Sequence, residues 1–335
     1  MAPPRNAFSK WSQYLAARCA DAAVSMFPVR ANLRTATLIG KAMHRIDKRH
    51  RQRTLQHLAV AFPDMSDADR ADLALQSFEH LVQLAVEVTA SPRYLHPASW
   101  SQHTRLVRLG PVLELLSAGK PTILVTGHLG NWEVLGTLMA VLGFPSHAIA
   151  RPLDNPLINQ WLMGLREKRG LTIITKWNAT DRMVSVLNSG GSLGFIADQN
   201  AGDRGMFVPF FGRLASTYKS IGLLAMSQNA PIICGYARRI GPGFRFEMGF
   251  EDIIRPEEWA DQPDPLYYIT ARYVRAIEMM VRQRPEQYLW MHRRWKSRPR
   301  YERRGEPMPD GLREQLEALP WMDQATMHGL TLAPP

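Results

Sequence analysis

His128 and Glu133 stand in the stretch TILVTGHLGNWEVLG from Thr122 to Gly136, and they are the best candidates for proton transfer. An imidazole steered by a carboxylate is a general base near neutral pH: the anion keeps one ring nitrogen protonated and stabilises the imidazolium formed when the other takes a proton. The spacing alone carries little information. With 10 histidines and 30 acidic residues in 335 positions, chance gives roughly one His-x4-acid pair. In an ideal helix, five steps of ~100° leave two side chains roughly 140° apart. Gly127 and Gly130 relax that restriction by letting the turn bend. The sequence therefore predicts that Glu133, in the first turn of a helix capped by Asn131, reaches back to the imidazole. The alternative is a structural turn in which Glu133 only complements the helix dipole.

A turn of this kind needs a strand to deliver it and a helix to carry the acid away. The apolar run Thr122 to Thr126 is that strand. Further strands are expected at His147 to Ala150, Thr172 to Thr175, Leu193 to Ala197, Ile232 to Ala237 and Phe244 to Phe250. Stretches of helical period fall between them at 131–142, 155–169, 180–188 and 216–229, and another follows at 264–284. Such alternation predicts an α/β fold with a central mixed, mostly parallel sheet flanked by helices. The pair then falls at the carboxyl end of a strand, where open α/β sheets bind ligands. Upstream, 67–90 reads as one long helix. The chain divides into an N-terminal helical segment (1–45), a main domain (46–304) and a C-terminal tail (305–335).

The balance of 41 Lys and Arg against 30 Asp and Glu gives a formal charge of +11 and favours anionic partners, a lipid leaflet among them. Basic clusters lie at 44–53 and 292–300. Cys19 and Cys234 have neither disulfide-framework nor metal-ligand spacing, so neither a disulfide nor a metal site is expected. No stretch reads as a clean span of about 20 apolar residues. Trp11 to Lys41 is interrupted by charge, yet it carries Trp11, Tyr14, Leu15, Val24, Met26 and Phe27. It is expected to lie in a membrane interface or to pack on the body of the protein.

GHLGNWE resembles the active-site motif of the late acyltransferases of bacterial lipid A biosynthesis, within the wider lysophospholipid acyltransferase superfamily. The resemblance continues in order through Arg151-Pro152 with Asn155-Pro156, REKRG (166–170), ADQN (197–200), VPFFG (208–212) and YLWMHRRWKSRP (288–299), with AFPD (61–64) upstream. It covers roughly 50–300. It implies an acyltransferase that needs no cofactor, with His128 as base and Glu133 as its partner. It also implies substrate binding by Arg151, Arg166, Arg169, Asp198 and Gln199. The donor would be acyl carrier protein or acyl-CoA. The acceptor would be a hydroxyl of a membrane glycolipid, a lipid A precursor or a relative such as a phosphatidylinositol mannoside, met at the cytoplasmic face of the inner membrane. The hydrophobic anchor usual in the family is weakened here into the charge-interrupted segment 11–41, which favours peripheral attachment.

Two other readings compete. Gly190-Gly191-Ser192-Leu193-Gly194 matches the GxSxG pattern of serine hydrolases, but a nucleophile elbow needs a strand before the serine and a helix after it. Here the order is reversed. The aromatics Trp290, Trp295 and Tyr301 interleave with basic residues as in a polyanion-binding module, yet that reading leaves His128 and Glu133 without a role, and no nucleic-acid partner is expected.

Overall fold

The computed structural model describes residues 7–150, 152–167, 170–175 and 179–332. Four helices come first: α1 (Ala7–Met26), α2 (Val29–Ile46), α3 (Lys48–Ala61) and α4 (Asp67–Tyr94). Ser66 caps α4 by accepting the Asp69 N–H, which holds the start of a helix that continues past the predicted 67–90. Short α5 (Trp100–His103) leads into β1 (Thr104–Val107), α6 (Gly110–Ser117), β2 (Thr122–Thr126), α7 (Trp132–Val141) and β3 (Ser146–Ala150). Next come α8 (Pro156–Glu167), β4 (Thr172–Thr175), α9 (Ala179–Asn188), β5 (Ser192–Ile196), β6 (Met206–Phe210) and β7 (Arg213–Thr217). The remainder is α10 (Ser220–Gln228), β8 (Ile232–Arg239), β9 (Phe246–Ile254), α11 (Pro256–Trp259), α12 (Pro265–Gln283), α13 (Arg300–Arg304), α14 (Asp310–Glu317) and α15 (Gln324–Leu332).

Seven strands form one sheet in the order β1-β9-β8-β2-β5-β3-β4. β8, β2, β5, β3 and β4 are mutually parallel, and β9 with β1 runs the other way. This is the mixed, mostly parallel sheet expected. Helices cover both faces. On one, α3, α4, α10 and α12 pack around Leu58, Phe210, Ile221, Tyr273 and Ile277. On the other, α6 and α7 pack around Val112, Leu138, Ile233 and Phe246. Burial on both faces explains why β2 reads as an unbroken apolar run and not as an alternating one.

One local expectation needs correction. The predicted helix 216–229 begins only at Ser220, because 213–217 is β7, paired with β6 in a separate antiparallel hairpin. Phe211 and Gly212, both at positive φ (51° and 65°), make its two-residue turn, a geometry that matches the twist of the flanking strands. Glu278 accepts the Phe211 N–H at 2.6 Å. Pro209 inside β6 reads as a breaker and hides the strand; an isolated ribbon tolerates it because its outer edge is unpaired. The segment predicted as a C-terminal tail carries α14 and α15, and its Leu316, Leu319 and Leu330 are buried in the same core as the sheet.

At the N-terminus, α2 lays Leu33, Ala36 and Gly40 against the body and turns Leu38, Ile39 and Ile46 to solvent. No residue of α1 is buried, and Phe8, Trp11, Leu15 and Met26 stand exposed. Among the described residues no helix is long and apolar enough to cross a membrane.

Candidate active site

The parallel register of β2 and β5 fixes the centre of the site. Thr126 lies opposite Ile196, and the Ala197 N–H continues the ladder to the Thr126 carbonyl at 2.8 Å. Two residues past each strand end stand His128 and Asp198, side by side. His128 Nδ1 is 2.6 Å from Asp198 Oδ1, and the His128 backbone N–H donates to Oδ2 at 2.9 Å. Asp198 is almost fully buried and the imidazole nearly so. Burial would raise the Asp198 pKa, but the His128 charge and its two hydrogen bonds outweigh it and hold the carboxyl well below the usual range. An ionised Asp198 on Nδ1 fixes the tautomer and leaves Nε2 as the basic nitrogen.

Glu133 is elsewhere. Asn131 accepts the Val134 N–H at 3.0 Å and starts α7, and the first helical turn swings the carboxylate away from the imidazole. Both Glu133 oxygens are taken by Arg166 of α8, one from Nε at 3.0 Å and the other from Nη2. The expected reach of Glu133 back to His128 is therefore replaced by a bidentate ion pair, because the α7 backbone is already regular at Trp132. Trp132 takes the place beside His128, its ring edge-on at 4.9 Å.

The turn itself is sewn to a later segment, residues 287–294, here the strap. Leu129 pairs with Tyr288 in an isolated antiparallel bridge: Gly130 N–H donates to Gln287 at 2.9 Å, and Leu289 N–H donates to His128 at 2.9 Å. Gly130 has φ +55°, and a Cβ there would fall 2.2 Å from the Ala237 carbonyl oxygen, so only glycine fits. A Cβ on Gly127 would meet Ile277 at 2.9 Å and crowd Asp198. The strap brings His292 to 4.5 Å from the His128 ring. Burial and the neighbouring charge of His128 lower the His292 pKa to about 4, so His292 is neutral at physiological pH. Fully buried Arg294 pins the strap by donating to the Ser216 carbonyl at 2.6 Å and to Thr217 Oγ1 at 2.8 Å.

A charged cluster supports the turn from below. Glu87 of α4, fully buried, lies 2.5 Å from Arg239 Nε and accepts from Asn131 Nδ2 at 3.0 Å. His80 Nε2 donates to the Gly130 carbonyl at 3.0 Å, and its Nδ1 faces Arg239 Nη2 at 2.6 Å. Burial and the Arg239 charge push the His80 pKa down to about 3, as suits a ring that must accept from a guanidinium.

An apolar cavity of ≈ 120 Å³, partly open to solvent, runs between α7 and the sheet. Leu124, Met139, Ile173, Phe195 and Met248 line it, with Trp132 and the Glu133–Arg166 pair on its wall. His128 does not line the cavity, but Trp132 touches both.

Of the residues singled out in the sequence, the structure brings His128 and Asp198 together, and places Glu133 and Arg166 together on the cavity wall. Gln199 is exposed, and its carbonyl is 3.4 Å from Arg294 Nη1. Arg151 and Arg169 lie outside the described residues. Sequence reading gave no role to His292, Trp132 or the Glu87–Arg239–His80 cluster, and took Asp198 for a binding residue. The signal for Asp198 was available: ADQN leaves its strand as GHLG leaves the preceding one in the sheet, and parallel neighbours juxtapose equivalent positions. Ser192 opens β5, at the far end of that strand from Asp198, roughly 20 Å away at ~3.3 Å per residue.

The model of the family described as bacterial lipid A biosynthesis acyltransferase matches residues 4–297. Among curated relatives, the chain is 26% identical to a lipid A biosynthesis lauroyltransferase of Escherichia coli, covering 78% of this chain and 84% of that one. It is 27% identical to the lipid A biosynthesis palmitoleoyltransferase of that organism, with the same coverage of both chains. It is 22% identical to the myristoyltransferase, over 86% of this chain and 88% of that one. The protein is therefore an acyltransferase and belongs to the bacterial lipid A biosynthesis acyltransferase family.

Proposed function

We propose that the enzyme transfers a fatty acyl group from a thioester donor, acyl carrier protein or acyl-CoA, to a hydroxyl of a lipid A precursor, with His128 as general base. The observation that carries this reading is the 2.6 Å contact of His128 Nδ1 with buried Asp198, next to an apolar cavity suited to an acyl chain. Nε2 takes the acceptor proton as that oxygen attacks the thioester carbonyl, and Asp198 stabilises the imidazolium. The pantetheine thiol then leaves, carrying the proton returned by His128. No acyl-enzyme is needed, because the donor is already activated.

The turn's N–H groups at His128, Gly130 and Asn131 already donate to Asp198, Gln287 and Ala237. We give the tetrahedral oxyanion to a side chain, Arg166, the cation on the cavity wall, held by Glu133. Glu133 becomes a positioning residue. Residues 46–304 make up the transferase unit. The exposed apolar side chains of α1 and α2, with the +11 charge, dock it peripherally on the anionic, cytoplasmic leaflet of the inner membrane.

The test is single-turnover transfer from a labelled acyl thioester to a lipid A precursor, comparing wild type with Asp198→Asn and Glu133→Gln. Asp198→Asn should reduce the rate by more than Glu133→Gln does. The opposite ranking would return Glu133 to the base and remove Asp198 from it.

A further inference from the structure

One basic group beside the site plays no part in the mechanism above. α3 carries Arg49, Arg53 and His57 at i, i+4 and i+8, on one face. That face is turned to the strap: Arg53 Nη1 donates to the Met291 carbonyl at 3.1 Å, and His57 Nδ1 lies 2.7 Å from the Trp290 carbonyl. Next on the strap come His292, whose ring is 4.5 Å from the His128 ring, and exposed Arg293. Among the described residues none of Arg49, Arg53 and Arg293 has a carboxylate at ion-pair distance. Asp47 is close enough to ease Arg53, but both its oxygens are bonded to His50, from the backbone N–H at 3.1 Å and Nδ1 at 2.6 Å.

Three guanidinium groups thus gather where α3 faces the strap, with no ion-paired carboxylate among the described residues. Burial lowers the Arg53 pKa first, and the charges of Arg293 and Arg49 lower it further, so Arg53 lies within the field of both neighbours. Most arginines around the sheet are paired: Arg105 and Arg238 with Glu247, Arg166 with Glu133, Arg239 with Glu87, Arg272 with Asp252 and Glu258. A group of mutually repelling cations persists without cost to function when a ligand supplies the missing charge. Several planar forks around one point match the oxygens of a phosphate better than a single carboxylate.

We infer that Arg49, Arg53 and Arg293 bind a phosphate group carried by one of the two substrates while His128 acts on that substrate or its partner. The inference rests on the acyl-transfer reading of the site. Two sources carry such a group: the phosphopantetheine arm of the donor and a phosphorylated glycolipid acceptor.

The experiment is equilibrium titration of the full chain in detergent micelles with two probe pairs. One pair is 4′-phosphopantetheine and pantetheine. The other is a diphosphorylated lipid A precursor and the same lipid after phosphatase treatment. Wild type should prefer the phosphorylated member of one pair by about 10-fold or more, as expected for charge-assisted hydrogen bonds, and the pair that discriminates names the source. Arg53→Gln should abolish the preference. Exposed Arg49→Gln and Arg293→Gln, which touch no backbone carbonyl, should each reduce it and so answer for any folding defect of the first variant. Equal affinity within both pairs in wild type, or a preference that survives all three substitutions, overturns the inference. His128→Ala separates the two readings, because it should lose transfer and keep the phosphate preference. If it keeps transfer, the catalytic reading fails while the phosphate site stands on binding alone.

Discussion

Beneath the turn at 127–131, Glu87 and His80 lie buried in the body of the protein with Arg239 largely covered, whereas on α1 and α2 Leu15, Leu38 and Ile46 stand in solvent. Each region inverts the ordinary partition of side chains, in opposite senses. Burying charge is costly unless every partner is supplied, and here Asn131, Gln83, His80 and the Gly130 carbonyl supply them. Exposing a contiguous apolar face is costly in water unless another phase covers it. The first inversion fixes the position of a reacting group. The second leaves apolar side chains in solvent on the face proposed to dock on lipid. One departure from good partition is thus completed within the chain, whereas the other is left open to whatever lies outside it.

The largest expected effect separates chemistry from both. His128→Ala should lower turnover by roughly 10²- to 10⁴-fold, the usual worth of a positioned base, while leaving the thermal midpoint nearly unchanged. Near-wild-type turnover of the pure variant would remove the mechanism. Glu87→Leu tests the buried inversion by leaving Arg239 unpaired. It should cost roughly 3–5 kcal/mol in a denaturant titration, and a loss below ~1 kcal/mol would show that the cluster is not coupled to the fold. A triple change, Leu15→Ser, Leu38→Ser and Ile46→Ser, tests the exposed inversion. Stability should move by only ~0.5 kcal/mol per site, whereas partition to anionic vesicles should fall at least ~100-fold, given about 1.5–3 kcal/mol per buried leucine-sized side chain. Undiminished sedimentation with vesicles would assign attachment to another surface.

Acidification acts on the buried side. His80 and His292 have folded values of about 3 and about 4, below the ordinary 6.5, so between pH 6.5 and pH 4 the unfolded chain binds protons that the native state refuses. Stability is complete above pH 6.5 and is lost as the pH falls, by roughly 2 kcal/mol per histidine between pH 7 and pH 5. Unfolding titrations across that range should show the slope, and His292→Gln should shallow it. A flat profile would contradict the burial of both rings as neutral groups. Smallest of all, Ser192→Ala, Cys19→Ala and Cys234→Ala should leave turnover unchanged and intersecting initial-rate lines intact. An acyl adduct on Ser192 that turns over would revive a covalent route.

The strands were legible where burial on both faces makes continuous apolar runs, and β2 and β4 fall where the sequence places them. The β6–β7 ribbon was hidden because Pro209 and a positive-φ Phe211 break the local signals that mark a hairpin. At the site, His128 could be found from its turn, but its carboxylate partner could not be found by counting along the chain. Glu133 is near in sequence and is turned away by a helix that is regular from its first residue. Asp198 is remote in sequence and is brought close by strand register, a property of pairing between segments and not of either alone. The arginines show the same limit: the sequence offers Arg166, and only packing reveals that its charge is already answered by Glu133.

The bridge between Leu129 and Tyr288 has a consequence in time. The turn that holds the imidazole is made early in synthesis, but the backbone groups that complete it belong to a segment translated more than 150 residues later. Loop closure of that length is slow and comes after local helices have formed. A chain still on the ribosome has its histidine without the strap that bonds the turn, and without His292 beside it. The backbone bonds of the turn are therefore complete only once residues 287–289 have been made and packed against it.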